Sequence, residues 1–219
     1  MIRVVVVDDE ALIRSGLALI LRAAGDIDVV AAVSGGDALR EIGLTRPDVV
    51  LLDIRMPDVD GLTVLAQLRA APNPPVVAML TTFDSDHYVG TALQSGAAGF
   101  LLKDTDPEQL ARSVRALAAG AVVLSAKATF PILTGHTSWA ERTNAANELK
   151  VLTERELDVL LLIAQGLSNA DIGERLYIAS STVKDHVSAI LSKLGLDSRV
   201  RAALLVQRAG LGTNQRADN

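Results

Sequence analysis

Short runs of apolar residues alternate with amphipathic stretches throughout residues 1–120, and the runs are continuous, as in Val4–Val7 and Val49–Leu52. A continuous apolar run of this length is typical of a strand buried on both faces, the environment of a parallel sheet covered by helices. We therefore predict five βα units around a five-stranded parallel sheet, an α/β architecture. The predicted strands are Ile2–Val7, Val29–Val33, Val49–Leu52, Val76–Leu80 and Gly99–Leu102.

The pattern changes after residue 120. Residues 121–149 break any long periodicity with turn-forming residues, such as Thr134-Gly135, and predict a linker with room for one short helix. From Leu152 onward the apolar positions recur at helical spacing. We predict an all-α unit of four helices over residues 150–212 and a disordered tail at 213–219.

Capping residues mark helix starts in both parts of the chain. Their side chains satisfy backbone N–H groups that the first turn leaves without partners, which stabilises a helix by about 0.5–2 kcal/mol. In the first domain we predict that Ser34 caps the second helix and that Thr105 and Glu108 form a capping box. In the second, the predicted starts are Thr153 with Glu156, Ser168 with Asp171, Ser180 or Ser181, and Asp197 or Ser198.

Composition limits the classes of protein to which the chain can belong. It has 219 residues, 49% of them hydrophobic, which suits two modest domains. It has no cysteine, which excludes a disulfide framework and a thiolate metal site. No apolar run approaches the roughly 20 residues that span a bilayer. We therefore expect a cytoplasmic protein.

The net charge of −5 is unevenly distributed. Residues 1–120 carry 10 Lys and Arg against 16 Asp and Glu, a net of −6, whereas residues 150–219 carry 9 against 8, a net of +1. The acidic first part is suited to hold a cation. The last part lacks the bulk negative charge that repels nucleic acid, so charge permits DNA binding there without demonstrating it.

Polar side chains follow the predicted strands at one edge of the sheet. Asp8, Asp9, Asp53, Thr81 and Lys103 all come directly after apolar runs, and ligands of open parallel sheets bind outside the carboxyl ends of the strands. Three carboxylates gathered there repel one another unless a cation joins them. Mg²⁺ is the natural candidate because it prefers hard oxygen ligands and combines one or two carboxylates with phosphate oxygens. Beside that metal, Asp53 is a candidate nucleophile that forms an aspartyl phosphate.

Three further residues acquire roles around a phosphorylated Asp53. Lys103 can pair with Asp53 and then with a phosphoryl oxygen, and the hydroxyl of Thr81 can donate to another oxygen. Movement of Thr81 toward the phosphate would vacate space for the ring of Phe100. This predicts a switch that couples a charge event to packing on the last strand.

These motifs resemble the receiver domain of two-component response regulators, over residues 1–120. The resemblance is carried by Asp8-Asp9, Asp53 followed by Met56-Pro57 and Gly61, Thr81, and Lys103. It implies a doubly wound, flavodoxin-like fold with Asp53 as the phosphoacceptor and Phe100 as a rotating aromatic. It also implies that Asp9, Asp53 and the backbone carbonyl of Arg55 ligate Mg²⁺, with Asp8 acting partly through water. Thr82 is the alternative switch hydroxyl, although alternation favours Thr81.

Motifs in residues 150–209 resemble the helix-turn-helix domain of NarL/LuxR-type regulators. They are Thr153–Glu156, Gly166–Asn169, Ser181–Val187 and Lys193-Leu194-Gly195. The resemblance implies that Asn169–Leu176 is the positioning helix and that Ser181–Leu194 is the recognition helix, which enters the major groove. The implied DNA-contacting residues are Ser181, Thr182, Lys184, Ser188 and Lys193.

Asp185 departs from that family pattern, because neutral or basic residues are commoner at its outward position. An acid there repels phosphate, but it can accept a hydrogen bond from a cytosine amino group, so Asp185 is a candidate specificity residue. The helix that begins near Ser198 either packs internally or forms a dimer contact.

Together these features predict a two-component response regulator rather than a metabolic enzyme. A sensor histidine kinase would phosphorylate Asp53 with Mg²⁺, and dimerisation or domain release would follow, with binding to double-stranded promoter DNA. Two alternatives stay open. One is the same fold with DNA binding controlled by a partner or a ligand, and the other is a Mg²⁺-dependent aspartyl-phosphate phosphatase.

Overall fold

The computed structural model describes residues 1–81, 86–124 and 139–211, and it describes side chains throughout these ranges except at residues 86–89 and 139–142. The chain divides into two compact units, Met1–Leu133 and Thr134–Asn219. Each unit has a hydrophobic core of its own. The predicted class, an α/β domain followed by a helical domain, is confirmed.

The described residues of the first unit contain a sheet of six parallel strands, in the order β2-β1-β3-β4-β5-β6. The winding of the chain reverses between β1 and β3, the position at which doubly wound sheets bind ligands. Its elements are β1 (Ile2–Val7), α1 (Ala11–Ala23), β2 (Ile27–Val33), α2 (Ala38–Thr45), β3 (Val49–Asp53), α3 (Gly61–Arg69), β4 (Val76–Thr81), α4 (Asp86–Gln94), β5 (Gly99–Leu102), α5 (Pro107–Ala118) and β6 (Val123–Leu124).

The sheet is buried on both faces, as the continuous apolar runs predict. Val4 and Val6 belong to a core that α1 and α5 cover, and alternation turns Val5 and Val7 to the opposite face, where they are equally buried. Right-handed crossovers place α2, α3 and α4 over that second face. The carboxyl ends of the central strands therefore form the place where polar side chains of the sheet can meet.

Part of the predicted linker over residues 121–149 is regular structure. Val123–Leu124 forms β6 and pairs with β5, so the described sheet has one strand more than the five predicted. At the other end of the linker, Trp139–Glu148 is a helix of ten residues, consistent with the short helix for which we allowed. Ala145 and Leu149 are buried in the core of the second unit, which therefore begins before residue 150.

The second unit is helical throughout its described residues. Its helices are α6 (Trp139–Glu148), α7 (Glu154–Ala164), α8 (Asn169–Leu176), α9 (Ser180–Leu194) and α10 (Arg199–Arg208). Ala202, Leu205 and Val206 bury one face of α10 in the core of the unit. None of the helices in the described parts of the chain is long and apolar enough to cross a membrane. The predicted tail at 213–219 lies outside the described residues.

Three of the four caps predicted in the second unit are confirmed. Thr153 with Glu156 and Ser168 with Asp171 form reciprocal capping boxes, and Ser198 accepts a hydrogen bond from the N–H of Arg201. The third helix begins at Ser180, although no side chain caps it.

Two cap predictions in the first unit are wrong. Ser34 makes no capping bond, because a 3₁₀ turn at Gly35–Asp37 precedes α2. Asp106, rather than Thr105, caps α5 and accepts from the N–H groups of Glu108 and Gln109. The hydroxyl of Thr105 donates instead to the carbonyl of Leu102.

Replacing Asp106 with alanine should lower the free energy of unfolding of the first unit by about 1 kcal/mol, because α5 loses the side chain that caps its first turn. Urea denaturation followed by circular dichroism measures the change. Asp104→Ala is the matched control, since it removes a neighbouring exposed acid that caps no helix. Equal destabilisation by the two variants would contradict the assignment of the cap.

Candidate functional sites

Three carboxylates meet at the carboxyl ends of β1 and β3. The two strands pair with Val6 beside Leu51 and Val7 beside Leu52, so the residues that follow, Asp8 and Asp53, are neighbours. Both are buried, with 0% and 4% of their surface exposed. One carboxylate oxygen from each of Asp8, Asp9 and Asp53 lies within 4.8 Å of the other two. The structure thus brings together the three acids that the strand-end pattern singled out.

Lys103 joins two of these acids from the end of β5. Its Nζ lies 2.9 Å from Oδ2 of Asp8 and 3.0 Å from Oδ2 of Asp53, and only 8% of its side chain is exposed. The backbone directs it there, because the N–H of Lys103 donates to the carbonyl of Thr81 as β5 leaves the sheet. One buried ammonium therefore faces a cluster that has a net negative charge.

Burial and charge shift the pKa values of this pair. Burial raises the pKa of Asp53 to about 6, and the charge of Asp8 raises it too, although Lys103 and the N–H of Arg55 oppose the shift. Burial lowers the pKa of Lys103, but its hydrogen bonds with Asp8 and Asp53 outweigh that effect and the pKa is raised. Lys103 therefore stays charged, and its positive charge only partly offsets the effects that raise the pKa of Asp53.

The loop between β3 and α3 is folded tightly against Asp53. A Cβ atom at Gly61 would overlap the carbonyl oxygen of Asp53, which explains why a glycine follows at this distance. The N–H of Gly61 also donates to the carbonyl of Ile54, and Asp60 caps α3 through the N–H of Leu62. Arg55, whose carbonyl is a predicted metal ligand, lies inside this closed loop.

The donor set fits a hard divalent cation. Among the described residues, the cluster consists of the carboxylates of Asp8, Asp9 and Asp53, which face the ammonium of Lys103 and offer oxygen ligands. Mg²⁺ binds such oxygens and keeps several waters, so it needs only part of its coordination from the protein. Two of the carboxylates are buried and one is partly exposed, which leaves the cluster open to solvent on the side of Asp9.

Both predicted switch residues lie on adjacent strands close to this cluster. Thr81 ends β4 and is buried; its neighbour Leu80 pairs with Asp53. Phe100 in β5 pairs with Met79, and its ring is 1% exposed. The ring is therefore inside the fold in this structure. The alternative hydroxyl, Thr82, lies outside the described residues.

The second candidate site is the outer face of α9. All six residues predicted to contact DNA are exposed on this helix: Ser181, Thr182, Lys184, Asp185, Ser188 and, near its end, Lys193. Val183 and Ile190 are fully buried and fix the opposite face against the core. The hydroxyl of Ser188 donates to the carbonyl of Lys184, one turn earlier on the helix. The structure thus gathers these side chains on one solvent-facing surface.

Lys193, the sixth predicted contact, forms an ion pair with another residue of the same unit. Its Nζ donates to Oε2 of Glu156 at 2.7 Å, and the same carboxylate accepts from the N–H of Thr153 at 2.8 Å. These bonds lower the pKa of Glu156 to about 2, the bond from Lys193 having the largest effect. Lys193 therefore ties the end of α9 to the start of α7.

Several positioning residues had no strong signal in the sequence. Arg14 donates to the carbonyl of Asp8 at 2.6 Å, which holds the loop that carries the acidic pair. In the second unit, Arg155 donates to the carbonyl of Leu176 at 2.7 Å. Arg199 donates to the carbonyl of Leu167, and burial lowers the pKa of its guanidinium to about 10. All three arginines bond to main-chain carbonyls, which no residue pattern reveals.

Two family models match the chain. The response regulator receiver domain matches residues 4–115, and the luxR family of bacterial regulatory proteins matches residues 150–206. The chain therefore belongs to the two-component response regulators that join a receiver domain to a LuxR-type DNA-binding domain and regulate transcription.

Individual relatives and solved structures agree with this assignment. The chain is 39% identical over 206 residues to the nitrate/nitrite response regulator protein NarL of Escherichia coli (strain K12), with 94% of each chain covered. It is 35% identical over 205 residues to the DNA-binding transcriptional activator DevR/DosR of Mycobacterium tuberculosis (strain ATCC 25618 / H37Rv), with 93% of each covered. The structure of the response regulator ChrA, from a heme-sensing two-component system, is similar with a TM-score of 0.53 and 34% identity, and the match covers 96% of this chain and 98% of that one.

The ion pair between Lys193 and Glu156 predicts a pH dependence of stability. Because the pKa of Glu156 in the folded chain, about 2, lies below its ordinary value of 4.5, its stabilising effect is complete above about pH 4.5 and is lost as the pH falls toward 2. Glu156→Gln keeps a capping side chain but loses the charge, so it should destabilise the second unit by about 1 kcal/mol at pH 7.

Hydrogen exchange of the α7 and α9 amides between pH 2 and 7, corrected for the intrinsic exchange rate, tests this dependence. The stability difference between the wild type and Glu156→Gln should shrink as the pH falls through this window. Glu154→Gln, which changes an exposed acid in the same first turn, is the control and should match the wild type. A constant difference across the window would refute the role of the ion pair.

Proposed function

We propose that a sensor histidine kinase phosphorylates this protein on Asp53 with Mg²⁺, and that this event controls DNA binding by α9. The observation that carries the proposal is the meeting of Asp8, Asp9 and Asp53 around Lys103 at the end of the sheet. A carboxylate oxygen of Asp53 attacks the phosphorus of the phosphohistidine; a P–O bond forms and the P–N bond breaks. The histidine nitrogen leaves, and the product is an aspartyl phosphate.

The residues around Asp53 have complementary roles in this transfer. Asp9, Asp53 and the backbone carbonyl of Arg55 would hold Mg²⁺, with Asp8 acting partly through water, and the ion would neutralise charge on the phosphoryl oxygens. Lys103, already 3.0 Å from Asp53, pairs with one of these oxygens. The hydroxyl of Thr81 donates to another, and Phe100 responds to the movement of Thr81.

The exposed face of α9 is the proposed DNA-reading surface. Thr182, Lys184 and Ser188 point to the DNA from the major groove, and Ser181 contacts the backbone. Asp185 accepts from a cytosine amino group and contributes to base preference. Lys193 contacts a DNA phosphate through the N–H groups of its ammonium that do not donate to Glu156.

Phosphorylation would act through dimerisation or release of the second domain. A dimer with two-fold symmetry would match inverted half-sites in promoter DNA. The protein would act as a regulator in the cytoplasm, where the kinase domain and the chromosome are both accessible, rather than as a metabolic enzyme. Control of DNA binding by a partner or a ligand is the competing mechanism, and the phosphorylation experiment distinguishes the two.

Incubation with acetyl phosphate and Mg²⁺ should add one phosphoryl group to the wild-type chain and none to Asp53→Asn, because the amide is not a competent nucleophile. Intact-mass spectrometry under neutral conditions measures the addition. Asp37→Asn, which removes the charge of an exposed acid of the same unit, is the control and should still be phosphorylated. Steady turnover of a phosphomonoester that Asp53→Asn retains and Asp8→Asn loses would instead support the phosphatase alternative.

Lys184→Ala should weaken binding of target DNA, and the slope of log affinity against log salt should become shallower by about one unit if Lys184 neutralises a phosphate. If it reads a base, binding should weaken by about 1–3 kcal/mol on the preferred sequence only. Fluorescence anisotropy with a fragment recovered by genomic capture measures both. Lys150→Ala removes an exposed lysine outside α9 and should match the wild type. An unchanged affinity and a flat salt response of the wild type would refute the DNA-reading surface.

A further inference from the structure

Asp58 connects two loops at the acidic end of the sheet. Its Oδ2 accepts a hydrogen bond from the N–H of Gly36 at 2.7 Å, and its Oδ1 accepts from the N–H of Val59 at 3.0 Å. Gly36 belongs to the 3₁₀ turn after β2, whereas Asp58 belongs to the loop after β3 that also contains Arg55. A single exposed carboxylate therefore bridges chain segments that are 22 residues apart.

The contact between these loops is close as well as hydrogen-bonded. A Cβ atom at Gly35 would lie 2.5 Å from Cγ1 of Val59, 2.9 Å from Oδ1 of Asp58 and 3.0 Å from the terminal methyl of Met56. Any residue larger than glycine at Gly35 would have to displace these side chains of the β3–α3 loop. Two features, the close fit of side chains against Gly35 and the hydrogen bond from Gly36 to Asp58, thus join the same two loops.

We propose that Asp58 is a positioning residue for the metal site, which holds the β3–α3 loop so that the carbonyl of Arg55 stays directed at the bound cation. This inference rests on the proposed Mg²⁺ site. The loop has two anchors. At its end beside α3, Gly61 packs against Asp53 and its N–H donates to the carbonyl of Ile54. Within the loop, Asp58 accepts a hydrogen bond from the N–H of Gly36. Without the second anchor, the segment that contains Arg55 loses its hydrogen bond to the turn that follows β2.

Charge alone does not explain the contact. Asp37, next to Gly36, is an equally exposed acid, but it pairs with Arg40 at 2.9 Å and does not bond to the β3–α3 loop. Asp37→Ala therefore removes the same charge from the same neighbourhood and leaves the bridge intact. Asp58→Asn removes the charge and keeps one oxygen that can accept from the N–H of Gly36.

The test is Mg²⁺ binding to the full-length, unphosphorylated protein by isothermal titration calorimetry, without a phosphodonor. Asp58→Ala should raise the Mg²⁺ dissociation constant about 10-fold, the effect expected when a residue that orients a metal ligand is lost. Asp58→Asn and Asp37→Ala should stay within about 3-fold of the wild type, as small changes of exposed charge predict. Amide exchange of Gly36, measured by NMR, should accelerate only in Asp58→Ala.

Each remaining outcome has a definite meaning. If the wild type binds Mg²⁺ and Asp58→Ala binds it equally well, the positioning role is wrong and the proposed function survives. The role is also wrong if Asp58→Ala, Asp58→Asn and Asp37→Ala weaken binding alike, since charge would then be the cause. If the wild type binds no Mg²⁺, both the proposed site and the role of Asp58 fail. Should Asp58→Ala not fold, Gly35→Ala, whose added methyl displaces the side chains of Asp58 and Val59 from this contact, should show the same weakening.

Discussion

Mutual repulsion of carboxylates at the end of the sheet is the constraint on which the first unit depends. Three acids share a space where their oxygens lie within 4.8 Å, and a single ammonium compensates them. At that separation each like-charged pair costs about 3–4 kcal/mol in surroundings of intermediate polarity. The fold tolerates this cost because its central strands are buried on both faces, so the polar residues that follow these strands must gather at the carboxyl ends of the sheet. A cluster with surplus negative charge is therefore built into the topology and is suited to a cation and a phosphoryl group.

The second unit meets a different structural requirement, which is to keep one face of α9 exposed. Buried Val183 and Ile190 fix the rotation of α9, and the bond from Lys193 to Glu156 fixes its end. Arg155 and Arg199 add hydrogen bonds to main-chain carbonyls around α8. Among the exposed α9 residues predicted to contact DNA, only Lys193 and Ser188 use their side chains in the described hydrogen bonds, and the bond of Ser188 is local to its own helix.

Most of the fold and the acidic cluster followed from local pattern, because strand burial and helix capping leave a clear record in neighbouring residues. The strand β6 did not, since two residues are too few to show a periodicity. Thr105 and Asp106 are both acceptable caps, and only the path of the chain after β5 decides between them. The bond of Lys193 joins residues 37 apart, and that of Asp58 joins residues 22 apart, so neither could be read from neighbouring positions. Contacts of this kind depend on how the elements pack, which one sequence does not state.

The pairing of Phe100 with Leu124 has a mechanical consequence. The short strand β6 is the last described segment before the chain leaves the receiver domain, and its hydrogen-bonded neighbour is the strand that carries the buried aromatic ring. Displacement of β5 must therefore either move β6 with it or break the short pairing between the two strands. β6 thus lies at the edge of the sheet beside the strand of Phe100, so a change around that ring would reach it through one pair of strands, without passing through the helices.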